Sequence, residues 1–249
     1  MRKPVMAGNW KMHKTPAETT AFFEKFRPLV AASAHCEIVI APPFTNLAAA
    51  VAAAHGTAIR IGSQNIAWAK EGAFTGEISG PMVAAVGATH AIVGHSERRQ
   101  YFGETDETVL KRTQAALEYG LTPIVCVGER LDDREGGRTE AVLVSQFHKG
   151  IAGLTAPQFA KIVIAYEPVW AIGTGKTATP EIAADAHRVI RAQVRDKYGK
   201  EAADSARILY GGSVKPDNAR TLMAQPEIDG VLVGGASLDP VGFASIVNF

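Results

Sequence analysis

The sequence predicts a single α/β domain built as a closed eight-stranded parallel (β/α)8 barrel, and three observations support that prediction. The chain has 249 residues with 47% hydrophobic side chains, which suits one large core. Eight short apolar runs alternate with helical segments along its length. No shift in composition and no low-complexity linker marks a boundary, so residues 1–249 are expected to form one domain.

The eight apolar runs are the predicted strands. They are continuous instead of alternating, which is typical of parallel strands covered on both faces. Parallel strands need crossover connections, so the alternatives are an open doubly wound sheet or a closed barrel, and eight units in about 250 residues favour the barrel. In chain order the runs begin at 5, 37, 58, 90, 122, 161, 207 and 230 and read VMAGN, EIVIA, AIRIGS, HAIVG, TPIVCVG, KIVIAY, RILYGG and GVLVGG.

Capping residues mark the starts of helices between these strands. Thr105 precedes a helical pattern with acidic residues in its first turn, as expected of an N-cap. Thr179-Pro180 and Asp239-Pro240 each place a capping side chain directly before a proline, which suits the first position of a helix. The sequence therefore predicts helices that begin after residues 105, 179 and 239.

Charge and hydrophobic patterning exclude two classes of partner. The chain carries 26 basic and 25 acidic residues, a formal charge of +1, so no overall field attracts nucleic acid or an anionic membrane. No apolar run reaches the ~18 residues that a spanning helix needs, and no signal-peptide core follows Met1. The two cysteines, Cys36 and Cys126, lie near or within strand-like runs, which favours buried thiols and a reducing compartment. A cytoplasmic protein is expected.

Polar residues and glycines follow the predicted strands where a parallel barrel builds its site. The carboxyl ends of all strands meet at one face of a barrel, so these residues are expected to lie together. Glycine pairs after the seventh and eighth strands leave backbone N–H groups open, and such groups bind phosphate. The residues that follow the eight strands are Asn9-Trp10-Lys11, Pro42-Pro43-Phe44, Gln64-Asn65, His95-Ser96-Glu97, Gly128-Glu129, Glu167-Pro168, Gly211-Gly212-Ser213 and Gly234-Gly235.

The glycine-rich stretch after Glu167 invites two interpretations that fail. A P-loop needs glycine five positions before Gly175, where the chain has Trp170. The spacing of Gly173 and Gly175 fits a dinucleotide-binding pattern, but it follows the sixth strand and lacks the rest of that unit. A flexible surface loop remains an alternative, whereas the apolar run 169–172 favours a lid that docks over the site.

Eight segments in this order make the chain resemble the triosephosphate isomerase family over essentially its whole length. They read AGNWKM, APPFTNL, GAFTGEIS, VGHSERR, CVGE, AYEPVWAIGTGKTAT, YGGSV and DGVLVGGASL. The resemblance implies a TIM barrel that interconverts dihydroxyacetone phosphate and D-glyceraldehyde 3-phosphate in glycolysis and gluconeogenesis. It also implies that neither a cofactor nor a metal takes part.

Site roles follow from the same resemblance. Glu167 corresponds to the base and His95 to the electrophile, while Asn9 and Lys11 correspond to residues that bind substrate and assist catalysis. Burial under the lid is expected to raise the basicity of Glu167 when substrate is bound, and a helix N-terminus is expected to keep the His95 ring neutral. The residues at the family's phosphate-binding positions are Gly173, Ser213, Gly234 and Gly235.

The long connection 64–80 carries a separate expectation. It bears glycines together with Trp68 and Phe74, and long loops in compact domains are usually functional. A mobile surface insertion is the alternative. The resemblance implies a homodimer in which this loop enters the second subunit, with Thr75 near the partner's site.

Two other functions stay open on the residues alone. A Schiff-base aldolase on the same barrel needs a lysine at an interior strand position, and Lys11 is its best candidate. The second alternative is a phosphate-binding module that catalyses no reaction, and in such a module Glu167 and His95 would have no role.

Overall fold

A computed structural model describes residues 2–172 and 178–249, and its centre is a closed parallel barrel. Each strand pairs with the next in chain order, and the eighth pairs with the first. The predicted fold class is thus confirmed. The strands are β1 (Val5–Asn9), β2 (Glu37–Ala41), β3 (Arg60–Ser63), β4 (His90–Val93), β5 (Thr122–Val127), β6 (Val163–Tyr166), β7 (Ile208–Tyr210) and β8 (Gly230–Val233).

Twelve α-helices among the described residues surround the barrel. They are α1 (Pro16–Val30), α2 (Leu47–Ala54), α3 (Gly80–Ala85), α4 (Ser96–Tyr101), α5 (Asp106–Glu118), α6 (Leu131–Glu135), α7 (Thr139–Gly150), α8 (Ala156–Phe159), α9 (Pro180–Tyr198), α10 (Lys200–Ser205), α11 (Ala219–Met223) and α12 (Pro240–Val247). Single 3-10 turns lie at Phe44–Asn46, Val169–Ala171 and Gly235–Leu238.

The three predicted caps are confirmed. The Thr105 side chain accepts from the N–H of the third residue of α5, and Thr179 does the same for α9. The Asp239 carboxylate accepts the Gly242 N–H at 2.6 Å and caps α12. Each cap satisfies a backbone donor that the first turn of a helix leaves unpaired.

Two apolar layers explain why the strand runs are continuous. Inside the barrel lies a small cluster that includes Val39, Ile124 and Leu209. Outside it, the other strand face packs against the helices, where Phe26 of α1 stacks on Phe243 of α12 with ring centroids 5.3 Å apart. Because both strand faces are buried, nearly all strand side chains lie in the core. The polar side chains that could act on a ligand are therefore expected among the residues that follow the strands.

The cysteines are buried and unpaired, as predicted. Burial raises the pKa of the Cys36 thiol to about 11 and also raises that of Cys126, so both thiols stay protonated at neutral pH. In the described part of the chain, no helix combines the length and the hydropathy that crossing a membrane requires.

Candidate active site

A cleft of about 320 Å³ opens at the carboxyl ends of the strands. Seven of the eight predicted site residues line it, and the eighth, Gly173, lies outside the described residues, as does the rest of the segment 173–177 predicted to form part of a lid. Closure of the barrel thus gathers side chains that are up to 226 positions apart, from position 9 to position 235. The seven are Asn9, Lys11, His95, Glu167, Ser213, Gly234 and Gly235.

Glu167 follows β6 directly and is 2% exposed. One carboxylate oxygen lies 2.8 Å from His95 Nε2, and the other accepts the Ser96 N–H at 2.9 Å. The Glu167 N–H donates to Val127 O at 2.8 Å, which extends the pairing of β5 with β6 by one bond. A Cβ at Gly211 would lie 2.9 Å from Glu167 Cγ, so glycine is required there for the carboxylate to pass. Contacts to both its backbone and its side chain therefore hold Glu167, the candidate base, in place.

His95 stands at the N-cap of α4 and is 6% exposed. Its Nδ1 accepts the N–H of Glu97 at 3.3 Å, and its Nε2 faces Glu167. An imidazole nitrogen that accepts a hydrogen bond carries no proton, so this contact assigns the ring hydrogen to Nε2. This tautomer directs the Nε2–H at the Glu167 carboxylate, and the neutral ring expected from the sequence stays a prediction.

Burial and pairing act in opposite directions on these two groups. Burial raises the pKa of Glu167, but the His95 ring and the Ser96 N–H more than offset it, and the pKa of Glu167 ends below its ordinary value. Burial lowers the pKa of His95, and the Glu167 carboxylate more than offsets that and raises it, while the Lys11 ammonium opposes the rise. The partners thus outweigh burial in this arrangement, and the gain in basicity expected with substrate bound stays a prediction.

Lys11 lies beside the pair in a strained backbone conformation. Its φ is 51°, in the left-handed region, which costs a residue with a side chain about 1 kcal/mol or more. Asn9 Oδ1 accepts the Lys11 N–H at 3.0 Å, and Gln64 Nε2 donates to its carbonyl at 2.8 Å, so both peptide groups are held. The ammonium pairs with Glu97 at 2.6 Å. Asn9 and Gln64 therefore aim a cation into the cleft.

Glycines shape the opposite wall. A Cβ at Gly212 would lie 2.2 Å from the Tyr210 hydroxyl oxygen, so that turn must be glycine. A Cβ at Gly235 would meet nothing within 4 Å, and its absence instead leaves the backbone open to the cleft. Ser213 and Gly234 line the same wall. Open amides and a hydroxyl are groups that bind a phosphate without a cationic side chain.

The sequence placed Ser96 and Glu129 among the residues that follow the strands but did not show that they hold the site and its neighbouring segment. Ser96 follows His95 and binds Glu167 through both its N–H and its hydroxyl. Glu129 follows β5, and one of its oxygens accepts from Tyr166 at 3.1 Å and from Trp170 at 2.8 Å. The available signal was position, because both residues come within three positions of a strand's carboxyl end. The Trp170 contact fastens the apolar run 169–172 to Glu129, and the docking of this run over the site as a lid stays a prediction.

The connection 64–80 is fastened at its base and exposed at its tip. Arg112 of α5 donates to Asn65 Oδ1 at 3.2 Å and to Glu77 at 3.1 Å, so one guanidinium joins both arms of the loop. At the tip, Trp68 and Phe74 are 42% and 43% exposed and pack edge to face with centroids 5.9 Å apart. The loop therefore carries an apolar pair at its end.

Comparisons with known proteins agree with one another. The family model described as Triosephosphate isomerase matches residues 4–249. A protein of Solibacter usitatus (strain Ellin6076) named triosephosphate isomerase is 83% identical over all of both chains, and one of Citrifermentans bemidjiense with the same name is 56% identical over all of this chain and 99% of its own. The crystal structure of triosephosphate isomerase from Bartonella henselae is 38% identical, has a TM-score of 0.89, and aligns over 99% of this chain and 98% of its own.

Proposed function

The chain belongs to the triosephosphate isomerase family, and we propose that the cleft around Glu167 and His95 is where it works. The enzyme interconverts dihydroxyacetone phosphate and D-glyceraldehyde 3-phosphate. The observation that carries the proposal is the 2.8 Å contact between the Glu167 carboxylate and His95 Nε2 in one buried cleft with Lys11. A base and a hydrogen-bond donor side by side are what proton transfer next to a carbonyl requires.

Glu167 is the proposed base. Its lowered pKa keeps it ionised at neutral pH, so the carboxylate is ready to accept a proton from carbon. Both oxygens are engaged, by His95 on one side and by Ser96 on the other. A bound substrate must therefore take over at least one of those contacts before the carboxylate reaches the C–H. When the His95 contact is broken, two of the causes that lower the pKa of Glu167 are lost, so that pKa moves upward.

His95 and Lys11 are the proposed stabilisers of charge on oxygen. The Nε2–H of His95 donates to the substrate carbonyl oxygen in place of Glu167, and a neutral ring can pass this proton between the two oxygens of an enediolate. The Lys11 ammonium adds a favourable Coulomb energy of about 4 kcal/mol for a unit charge at ~4 Å and an effective dielectric near 20, before desolvation. Asn9 contributes an amide that also fixes the Lys11 backbone.

The phosphate is assigned to the opposite wall. Ser213, Gly234 and Gly235 are proposed to bind it through a hydroxyl and open backbone N–H groups, which suits a dianion that the catalytic Lys11 need not neutralise alone. Gly173 joins them by family resemblance. This chemistry uses only groups of the chain itself.

Trapping with borohydride distinguishes this mechanism from an aldolase. A Schiff base on Lys11 would be reduced by borohydride in the presence of dihydroxyacetone phosphate and would add the mass of the reduced triose to the protein. We expect undiminished isomerase turnover in a coupled assay after the treatment, with no added mass. A covalent adduct on Lys11 would refute the proposed base and electrophile.

A homodimer in the cytoplasm is the proposed setting, with glycolysis and gluconeogenesis the proposed pathways. The exposed tip of the connection 64–80, with Trp68, Phe74 and Thr75, supports a second copy as its partner, because an ordered loop that ends in an apolar pair is typical of an interface. Thr75 is exposed, as the proposed contact with a neighbouring site needs.

Sedimentation tests this assembly. Thr75→Arg is expected to yield monomers with reduced turnover, since an arginine would have to be buried at the contact. Thr20→Arg on the exposed face of α1 is the matched control and should sediment as wild type. A wild-type protein that sediments as a fully active monomer at assay concentration would disprove the dimer.

A further inference from the structure

Gln146, a partly buried residue of α7, makes an unusual pair of contacts outside the cleft. Its side-chain amide pairs with both backbone groups of one residue, Gly128. Gln146 Oε1 accepts the Gly128 N–H at 2.7 Å, and Gln146 Nε2 donates to the Gly128 carbonyl at 3.1 Å. A side-chain amide that satisfies both backbone groups of a single residue acts as a one-residue extension of a sheet and fixes that residue's orientation.

Gly128 stands directly against the proposed base. It is the first residue after β5, and a Cβ on it would lie 1.7 Å from the Glu167 carbonyl oxygen. The backbones of Gly128 and Glu167 are therefore in closer contact than any other residue type would permit. A small rotation of the Gly128 peptide would push on the Glu167 carbonyl and tilt its side chain.

The next residue ties the same segment to the chain beyond Glu167. The Glu129 carbonyl accepts the Val169 N–H at 3.1 Å, and its carboxylate accepts from Trp170. The stretch 128–129 thus contacts the chain at 167 and at 169–170. Gln146 anchors the stretch 128–129 to α7, a twelve-residue helix. The rigid helix can therefore restrict the movement of this stretch and of Glu167 beside it.

The packing of α7 does not depend on Gln146. Leu143 and Phe147, which flank it on the helix, are 0% and 1% exposed and supply the apolar contact with the barrel. Loss of the Gln146 amide should then leave the fold in place and release the Gly128 peptide. We propose that Gln146 is a positioning residue for isomerisation, which acts through Gly128 to hold Glu167 at its working angle.

Gln146→Met removes both hydrogen bonds at nearly constant size. We expect kcat to fall roughly tenfold to a hundredfold with KM nearly unchanged, because a displacement of under an ångström at the base costs rate more than binding. Gln193→Met is the matched control, since the Gln193 amide contacts only the exposed His148 among the described partners and lies on another helix. Its kcat should equal that of wild type.

Gln146→Glu supplies a readout that a purely structural role would not move. The ionised carboxylate can accept the Gly128 N–H but cannot donate to the Gly128 carbonyl, whereas the protonated acid can do both. The ratio of its kcat to that of wild type should therefore rise as the pH falls from about 8 to about 5, toward the carboxyl pKa. The ratio for Gln146→Met should stay flat. If Gln146→Met fails to fold, the pH profile of Gln146→Glu decides alone.

The inference rests on Glu167 being the base, so Glu167→Gln is measured in parallel. If Glu167→Gln keeps its kcat, the proposed function fails. If Glu167→Gln loses its kcat while Gln146→Met keeps the wild-type value, or if the Gln146→Glu ratio does not change with pH, only the positioning role of Gln146 is overturned.

Discussion

Two histidine–glutamate pairs lie at opposite ends of β4 and have different surroundings. His90 begins the strand, and its Nε2 lies 3.1 Å from a carboxylate oxygen of Glu37. His95 follows the strand's end, and its Nε2 lies 2.8 Å from Glu167. Both rings are buried, at 4% and 6% exposure. The two pairs share their chemistry, so their tasks must be set by what lies beside them.

The pair at the amino end of the barrel is enclosed by fixed partners. The second Glu37 oxygen accepts from Arg207 at 2.7 Å, and His90 Nδ1 contacts the Thr89 hydroxyl at 2.9 Å. The hydrogen bond from His90 is the largest cause that lowers the pKa of Glu37, to about 2, against the effect of burial. Glu37 thus joins the start of β2 to the start of β4 and to the residue before β7. The arrangement stabilises the barrel.

The pair at the carboxyl end borders the cleft instead. Glu167 and His95 line it together with Lys11, and their further contacts include Ser96 and a backbone N–H of the same turn. A ligand can replace these contacts one at a time. The comparison teaches that a buried acid–base pair becomes reactive when one of its sides faces a space that substrate can fill.

The largest expected effect is on turnover from Glu167→Gln. The amide keeps the size of the side chain, but its NH2 group replaces one acceptor oxygen and it cannot accept a proton from carbon, so kcat should fall by roughly 10² to 10⁴ or more. A coupled assay measures this, and urea unfolding should show that the variant still unfolds cooperatively. Unchanged kcat would remove Glu167 from the mechanism.

A smaller loss is expected for His95→Ala. The ring donates to charge that develops on oxygen, and removal of one such donor costs roughly 10² to 10³ in kcat. KM should change much less, because the donor matters most in the transition state. A normal kcat with a greatly raised KM would mean that the ring only binds substrate.

Glu37→Gln should reverse this pattern. The change removes charge-assisted bonds to His90 and Arg207, and we expect a loss of about 1–3 kcal/mol in the free energy of unfolding. Turnover should stay within about twofold of wild type, because the pair lies at the far end of the barrel. Urea unfolding and the coupled assay measure the two quantities. A catalytic defect with full stability would contradict the division between the two ends.

The smallest effect is the pH dependence of that stability. The pKa of Glu37 falls from 4.5 to about 2 on folding, so its contribution is fully present above pH 4.5 and is lost as the pH drops toward 2. Wild type should therefore lose more stability than Glu37→Gln when the urea midpoint is compared at about pH 6 and about pH 3. Equal losses in the two proteins would show that the pair does not titrate as assigned.

The sequence predicted much of this architecture because the strands are buried on both faces and therefore appear in the sequence as apolar runs. All eight runs form strands, although β3 and β6 begin two residues later than their runs, at Arg60 and Val163, where pairing with the previous strand starts. Site candidates could be found because residues that follow parallel strands meet at one face. This rule needs only the order of the elements.

The contacts between side chains could not be predicted in the same way. Glu37 and His90 read as ordinary strand starts, 53 positions apart, and their meeting depends on the stagger of the closed barrel. Gln146 lies in the interior of a helix, where its residue type carries no signal until Gly128 is seen opposite. The lowered pKa of Glu167 has the same origin, because it depends on partners as well as on burial.

Exchange with solvent deuterium tests the central claim most directly. When wild type turns over dihydroxyacetone phosphate in D₂O, deuterium should enter at the carbon next to the carbonyl, because Glu167 removes a proton from that carbon and can exchange it with solvent. In Glu167→Gln, incorporation and turnover should fall together. Incorporation at the wild-type rate in Glu167→Gln, or turnover by wild type with no deuterium entering, would contradict the account.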